Sequence, residues 1–214
     1  TFNDCNVTGP STEAALSGST IYGVLLDRAR HVEFRNTVVK GFQWGVYCRT
    51  NVQNITFAGG VIADNRINGA VINRSDTKHI TFDGVSFERN GWGATSAAYG
   101  INISDGSYTV VKNCNFGDTI TQDTIQELSI RIQQPAIHTT LINNHVSSQK
   151  ATYVWGYNLG NVSHTNQLWL VSGNTADPAY VTTMYTGSPN IPIATRGGTK
   201  RIWTGTGVPT SGHY

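Results

Sequence analysis

Val32-Glu33-Phe34-Arg35-Asn36-Thr37-Val38-Val39, Ile55-Thr56-Phe57-Ala58-Gly59-Gly60-Val61-Ile62 and Ile80-Thr81-Phe82-Asp83-Gly84-Val85-Ser86-Phe87 are three versions of one pattern. Each has an apolar anchor, then Asn or Gly two positions later, then another apolar residue five positions after the anchor. Extending the pattern in both directions gives the anchors Phe2, Phe34, Phe57, Phe82, Val111, Ile142 and Val171, spaced by 32, 23, 25, 29, 31 and 29 residues. Two positions after them stand Asp4, Asn36, Gly59, Gly84, Asn113, Asn144 and Gly173. These residue types tolerate a positive φ best. A column of them predicts the same sharp corner in every repeat. Val7, Val39, Ile62, Phe87 and Phe116 occupy the position five after the first five anchors.

A second column lies upstream of the anchors. Gly23-Val24-Leu25-Leu26-Asp27, Gly45-Val46-Tyr47-Cys48-Arg49, Gly69-Ala70-Val71-Ile72-Asn73, Gly100-Ile101-Asn102-Ile103-Ser104 and Ser129-Ile130-Arg131-Ile132-Gln133 align. Strand alternation turns Val24/Leu26, Val46/Cys48, Ala70/Ile72, Ile101/Ile103 and Ile130/Ile132 inward. Three short strands per repeat is the size of one solenoid coil, with like side chains stacked at about 4.8 Å from coil to coil. The expected fold is therefore all-β: a single-stranded right-handed parallel β-helix with three strands per coil and six or seven coils over residues 1–175. A β-sandwich gives no reason for a recurring left-handed corner. Leucine-rich repeats need a Leu-dominated consensus that is absent here. Residues 176–214 hold four of the six prolines and are expected to be an irregular segment that caps or runs along the last coils.

Composition agrees. Only 13% of the 214 residues are charged while 23 are Gly, which suits short strands and frequent turns. The net charge of +2 is spread along the chain with no basic block, so no nucleic-acid partner is expected. No apolar run approaches the ~18 residues of a membrane span, so no membrane insertion is expected. Thr1-Phe2-Asn3-Asp4-Cys5 already reads as strand and there is no initiator Met, so both ends are expected to be boundaries within a longer chain. Cys5, Cys48 and Cys114 form no metal-binding pair and are expected to be small buried residues. Cys5 and Cys114 share an inward column four coils apart, or ~19 Å at the strand spacing. No disulfide is expected between them.

The coil pattern resembles the pectate-lyase-like β-helix superfamily, which includes pectin-degrading enzymes, alginate epimerases and phage tailspikes. Gly205-Thr206-Gly207-Val208-Pro209-Thr210-Ser211-Gly212-His213-Tyr214 is similar to a segment found near the end of many phage tail spike and fibre proteins. The resemblance implies a homotrimer on a virion tail, hence extracellular, that binds and often cleaves a bacterial surface polysaccharide. No cofactor or metal site is expected.

In this superfamily the substrate groove runs along the first-strand face, and the repeat allows residues to be projected onto it. One outward ladder is Leu25, Tyr47, Val71, Asn102 and Arg131. Another is Asp27, Arg49, Asn73, Ser104 and Gln133. Tyr47, Arg49, Asn73, Asn102 and Arg131 suit sugar hydroxyls and carboxylates. Trp92, on a Gly-flanked turn, is a candidate for stacking on a sugar ring. An ordinary solvated sheet face, with Asp27–Arg49 as a surface ion pair, is the competing reading. Glycoside hydrolysis needs two carboxyl groups about 5–9.5 Å apart. Asp64 and Glu88, at third-strand ends on neighbouring coils, are the candidate pair, with Asp105 on the opposite wall. A lyase would need a cation and a base instead, for which Arg49, Arg66, Arg89, Arg131 and Lys40 are available. His31 and His79 share a register on a face away from the groove. Leu25, Val71, Val38, Val61 and Val146, as outward apolar residues, would favour a trimer seam. The function expected is polysaccharide depolymerisation by a glycosidase rather than a lyase, with a non-catalytic glycan-binding or structural spike module as the alternative.

Overall fold

The structure is a computed structural model of the chain. It describes residues 1–10, 20–93, 98–117, 128–133, 136, 138–147, 155–158, 169–176, 183–186, 192–194 and 200–202. The described residues form strands and turns and no helix. In chain order the strands are β1 (Phe2–Asn3), β2 (Asn6–Thr8), β3 (Tyr22–Leu26), β4 (Arg30–Lys40), β5 (Trp44–Cys48), β6 (Gln53–Ala63), β7 (Asn68–Ile72), β8 (Lys78–Asp83), β9 (Ser86–Glu88), β10 (Tyr99–Ile103), β11 (Val110–Lys112), β12 (Asn115–Phe116) and β13 (Leu128–Ile132). There follow β14 (Thr140–Ile142), β15 (His145–Val146), β16 (Trp155–Asn158), β17 (Trp169–Ser172), β18 (Thr175–Ala176), β19 (Thr183–Thr186), β20 (Pro192–Ala194) and β21 (Lys200–Ile202).

The first strand of each coil pairs in parallel with the next in a seven-stranded sheet, β3-β5-β7-β10-β13-β16-β19. The second and third strands form the other faces, merged into a 14-stranded sheet because β4 and β6 run unbroken around the corner. This is the expected solenoid. About four turns, those of β3 to β12, are described in nearly every residue, fewer than the six or seven coils read from the repeat. Beyond them the ladders continue in shorter segments, and β20 pairs antiparallel with β21.

The left-handed corner is present in each repeat. Asp4, Asn36, Gly59, Gly84, Asn113, Asn143 and Gly173 have φ of 50, 48, 68, 68, 54, 51 and 66°. Asn and Gly are not interchangeable along this column. A Cβ on Gly59 would lie 2.7 Å from Asn36 Oδ1, so glycine stands where the neighbouring coil's amide fills the space. The corner residue in the sixth of these repeats is Asn143, not Asn144, and the anchor above Val111 is Leu141, not Ile142. Leu141-Ile142-Asn143-Asn144 offers two registers one residue apart. Packing selects the one that buries Leu141 and turns Asn144 inward, where its amide is used. There Asn144 Oδ1 accepts from Cys114 N (3.0 Å) and Nδ2 donates to Val111 O (2.9 Å). The same step puts Val146 beside Phe116 in the core, fully buried, so it is no part of an outer seam. Val71 is likewise only 5% exposed.

Inside, Phe34, Phe57 and Phe82 stack with centroids 4.6 and 5.1 Å apart, Phe87 stacks on Phe116 at 5.1 Å, and the half-exposed Phe2 stacks on Phe34 at 5.1 Å. Each fully buried phenyl is worth about 1.5–3 kcal/mol. Cys5, Cys48 and Cys114 are free, with Cys48 and Cys114 buried and Cys5 half-buried. Burial pushes both buried thiols up to about 12.

A second buried amide ladder closes the turn between third and first strands. Asn65 Oδ1 accepts from Phe42 N (3.1 Å), and Asn90 Oδ1 accepts from Asn65 Nδ2 (2.9 Å). Asn90 Nδ2 donates to Ile62 O at 2.9 Å. At this corner the second residue of the first strand is a glycine whose Cβ direction points into the core. A Cβ on Gly23 would meet Val39 and Phe42, and on Gly45 or Gly69 it would lie 2.5 Å from the next coil's carbonyl oxygen.

Candidate functional site

That inward glycine shapes the outer face of the first-strand sheet. Gly45 and Val46 both face the core, so the residues on either side, Trp44 and Tyr47, both emerge on the outside. The outer face therefore has two columns. One is Tyr22, Trp44, Asn68 and Tyr99, and the other is Leu25, Tyr47, Val71, Asn102 and Arg131, all in parallel register. The second is the ladder expected from alternation. The first is missed by a strict period of two, and its only signal is the recurring glycine one position later.

Across the first two coils the columns meet in an aromatic cluster. Tyr22 stacks on Trp44 at 5.3 Å and lies 4.8 Å from Tyr47, while Trp44 meets Tyr47 edge-on at 5.9 Å. All three rings are half-buried, and Leu25 beside them is 43% exposed. The Tyr47 hydroxyl accepts a short hydrogen bond from Asn73 Nδ2. Burial raises the Tyr22 hydroxyl above its ordinary value, Tyr47 adds to the rise, and the charge of Arg49 opposes it. Further along, Arg131 Nη1 donates to the Tyr99 hydroxyl (2.8 Å), with the guanidinium 5.1 Å from the ring centroid. Asn73 Oδ1 and Asn102 Oδ1 have no hydrogen-bond partner among the described residues.

Two rims flank the face. On the side where the first strands end stand Asp27, Arg49, Asn73 and Asp105. Asp27 does not pair with Arg49: its Oδ1 accepts from Thr50 N at 3.3 Å. Arg49 is exposed, and among the described residues its guanidinium has no hydrogen bond or ion pair. Asp105 Oδ1 caps its own turn by accepting from Gly106 N at 2.7 Å. On the other side, where third strands end, stand Asp64, Glu88, Arg89 and Trp92. Arg89 grips Asp64 in a two-pronged pair, Nε–Oδ1 2.8 Å and Nη2–Oδ2 3.0 Å, and lies 3.8 Å from Glu88. Ser86 Oγ donates to Glu88 Oε1 at 2.6 Å. The Trp92 indole N–H donates to Asp64 O at 2.9 Å, tying its ring to the coil.

The five-residue first strand between the rims is about 16 Å long at the usual rise. That exceeds the about 5–9.5 Å of a hydrolytic carboxyl pair. Asp64 and Glu88 both reach the Arg89 guanidinium, and Asp105 belongs to the far rim. His31 and His79 lie on another corner, at φ 56 and 57°, with His79 stacked on Tyr108 at 4.8 Å. The segment 205–214 lies outside the described residues.

A family model for the right-handed β-helix region matches residues 1–175. The chain belongs to the right-handed β-helix family. No curated protein and no solved structure matches it significantly. Within this β-helix the outer columns of the first strands carry half-buried aromatic rings at one end and Asn102 and Arg131 at the other, with Asn68, Val71 and Tyr99 buried between them.

Proposed function

We propose that this β-helix binds a bacterial surface polysaccharide along the outer face of its first-strand sheet, as part of a phage tailspike-like homotrimer exposed outside the cell. The observation that carries the reading is the composition of that face. Tyr22, Trp44 and Tyr47 offer flat apolar surface with polar tips, and Tyr47, Asn73, Asn102 and Arg131 offer directional donors and acceptors. Aromatic bodies with polar handles suit ligands that are apolar on one side and hydroxylated at the edge. The amide oxygens of Asn73 and Asn102 lie buried beneath that face without a hydrogen-bond partner among the described residues. Membership in a family whose members often bind or degrade carbohydrate supports the same reading. The tailspike setting rests on the similarity of residues 205–214 to phage tail proteins.

Cleavage is the second reading, and the meeting of Asp64 and Glu88 at Arg89 favours it. A hydrolase of this design would use one carboxyl as acid and the other as base or nucleophile. Asp64 would first have to exchange Arg89 for substrate, since both its oxygens are engaged. The test is incubation of the protein with capsular and O-antigen polysaccharides, following retention on the polymer and polymer length. Loss of length that disappears in Asp64→Asn with Glu88→Gln supports cleavage. Retention without shortening leaves a binding module. Failure to retain any polysaccharide sinks the proposal.

A further inference from the structure

The aromatic cluster and the rim beside it differ in charge from the rest of the molecule. Residues 27–30, 49–52 and 73–77, which follow β3, β5 and β7, contain Arg28, Arg30, Arg49 and Arg74 against Asp27 and Asp76. Four positive against two negative gives +2 over these three turns, as much as the formal net charge of all 214 residues, and Asp105 follows on the next turn of the same rim. The charges on this rim are not spent on one another. Arg30 donates to Asn51 Oδ1 (3.2 Å), Asp27 accepts from a backbone N–H, and Arg49 has no hydrogen bond or ion pair among the described residues. Arg49 follows Tyr47 by two residues, directly after β5 ends at Cys48, and its charge acts on the Tyr22 hydroxyl, so it stands at the edge of the aromatic cluster. An exposed, unpaired guanidinium beside stacked rings is a recognition pair: flat apolar surface for a ring, and a planar fork for a carboxylate.

We infer that Tyr22, Trp44, Tyr47 and Arg49 form a subsite for an acidic sugar residue, its ring against the aromatic cluster and its carboxylate on the Arg49 guanidinium. The inference rests on the polysaccharide-binding reading and narrows it to anionic polymers. Arg28 and Arg74, exposed on the flanking coils, extend the same positive rim to neighbouring acidic residues of the chain. Asp27, held by Thr50 N, disfavours a second carboxylate directly over the first coil and so sets where along the rim the acid group sits.

The experiment compares the full chain's affinity for a hexuronate oligosaccharide with its affinity for the carboxyl-reduced form of the same oligosaccharide, which is neutral and identical in linkage. The acidic form should bind more tightly, by roughly tenfold or more for a charge-assisted bidentate contact. That advantage should shrink with added salt. Arg49→Gln should abolish the preference, Arg49→Lys should leave part of it, and Arg35→Gln, on another face, should leave it whole. Circular dichroism of each variant confirms folding, which the exposure of Arg49 favours. Equal affinity for both forms, or a preference that survives Arg49→Gln, overturns the inference while polysaccharide binding stands. No affinity for any oligosaccharide or polysaccharide overturns both. A larger assembly that Trp44→Ala converts to monomer would put a second copy of the chain on the cluster, and would overturn the inference too.

Discussion

Replacing Asn90 by alanine tests the structural logic most directly, because its amide links two coils at a buried corner. Asn90 is fully buried; Oδ1 accepts from Asn65 Nδ2 at 2.9 Å and more weakly from Asn65 N at 3.4 Å, while Nδ2 donates to Ile62 O at 2.9 Å. Alanine leaves Asn65 Nδ2 and Ile62 O without these partners inside the protein. Each orphaned buried group costs about 1–3 kcal/mol, so the two together cost about 3 kcal/mol or more. For a chain of this size that is a fall in Tm of about 6–12 °C. Thermal melts followed by circular dichroism measure it, with urea titration as a second route where melting is irreversible. Asn90→Leu separates cause from cavity: it refills the volume but restores no hydrogen bond, so it should stay destabilised. Asn90→Asp adds a sign. Burial raises the pKa of its carboxyl in the folded state, so its deficit relative to wild type should narrow as pH falls and the group becomes a neutral donor. Hydrogen exchange should localise the loss to the coils of β6, β7 and β9, since a solenoid is coupled mainly through nearest neighbours. An Asn90→Ala variant melting within about 0.5 kcal/mol of the exposed control Ser75→Ala would refute the ladder's structural role.

Three further outcomes are expected. Two glycines should respond oppositely to substitution: Gly45→Ala places a Cβ 2.5 Å from Gly69 O and should cost about 1–3 kcal/mol or more, whereas Gly84→Asn, at φ 68° with no neighbour nearer than 4.0 Å, should be neutral in chemical denaturation. Thr109→Val should raise stability by about 1 kcal/mol, since Thr109 is 1% exposed and its hydroxyl has no partner among the described residues; an unchanged or lower urea midpoint would contradict this. Of the thiols, Cys5 should react with a thiol reagent in the native protein, while Cys48 and Cys114 react only on unfolding. Both are pushed up to about 12 by burial, against about 8.5 in an unfolded chain, so stability on their account is whole below about pH 8.5 and is lost as pH rises towards 12.

The columns could be read in advance because each coil meets the same neighbours as the last. Phe34, Phe57 and Phe82 are stacked at 4.6 and 5.1 Å because identical side chains at identical coil positions have no other place to go. Where the repeat offered two equivalent alignments, as at Leu141-Ile142-Asn143-Asn144, sequence spacing misplaced the corner by one residue, and buried amide pairing decided. The amide ladders themselves, Asn65–Asn90 and Asn144–Asn174, were invisible as a class. Asn is common throughout the chain, and only burial distinguishes a structural amide from a turn residue.

The candidate site divides the same way. By itself the sequence determined the fold class, the inward columns and the outward ladder Leu25–Tyr47–Val71–Asn102–Arg131, because all of these follow from a period of two within strands and a coil-length period between them. Tertiary structure alone decided that Tyr22 and Trp44 join Tyr47 in one cluster, that Arg49 has no hydrogen bond or ion pair among the described residues while Arg89 grips Asp64, and that Asp105 stands on the opposite rim from Asp64 and Glu88. Those facts depend on the inward glycine at the corner, on side-chain reach between coils and on which donors the backbone already uses. None of these is written into the spacing of residue types along the chain.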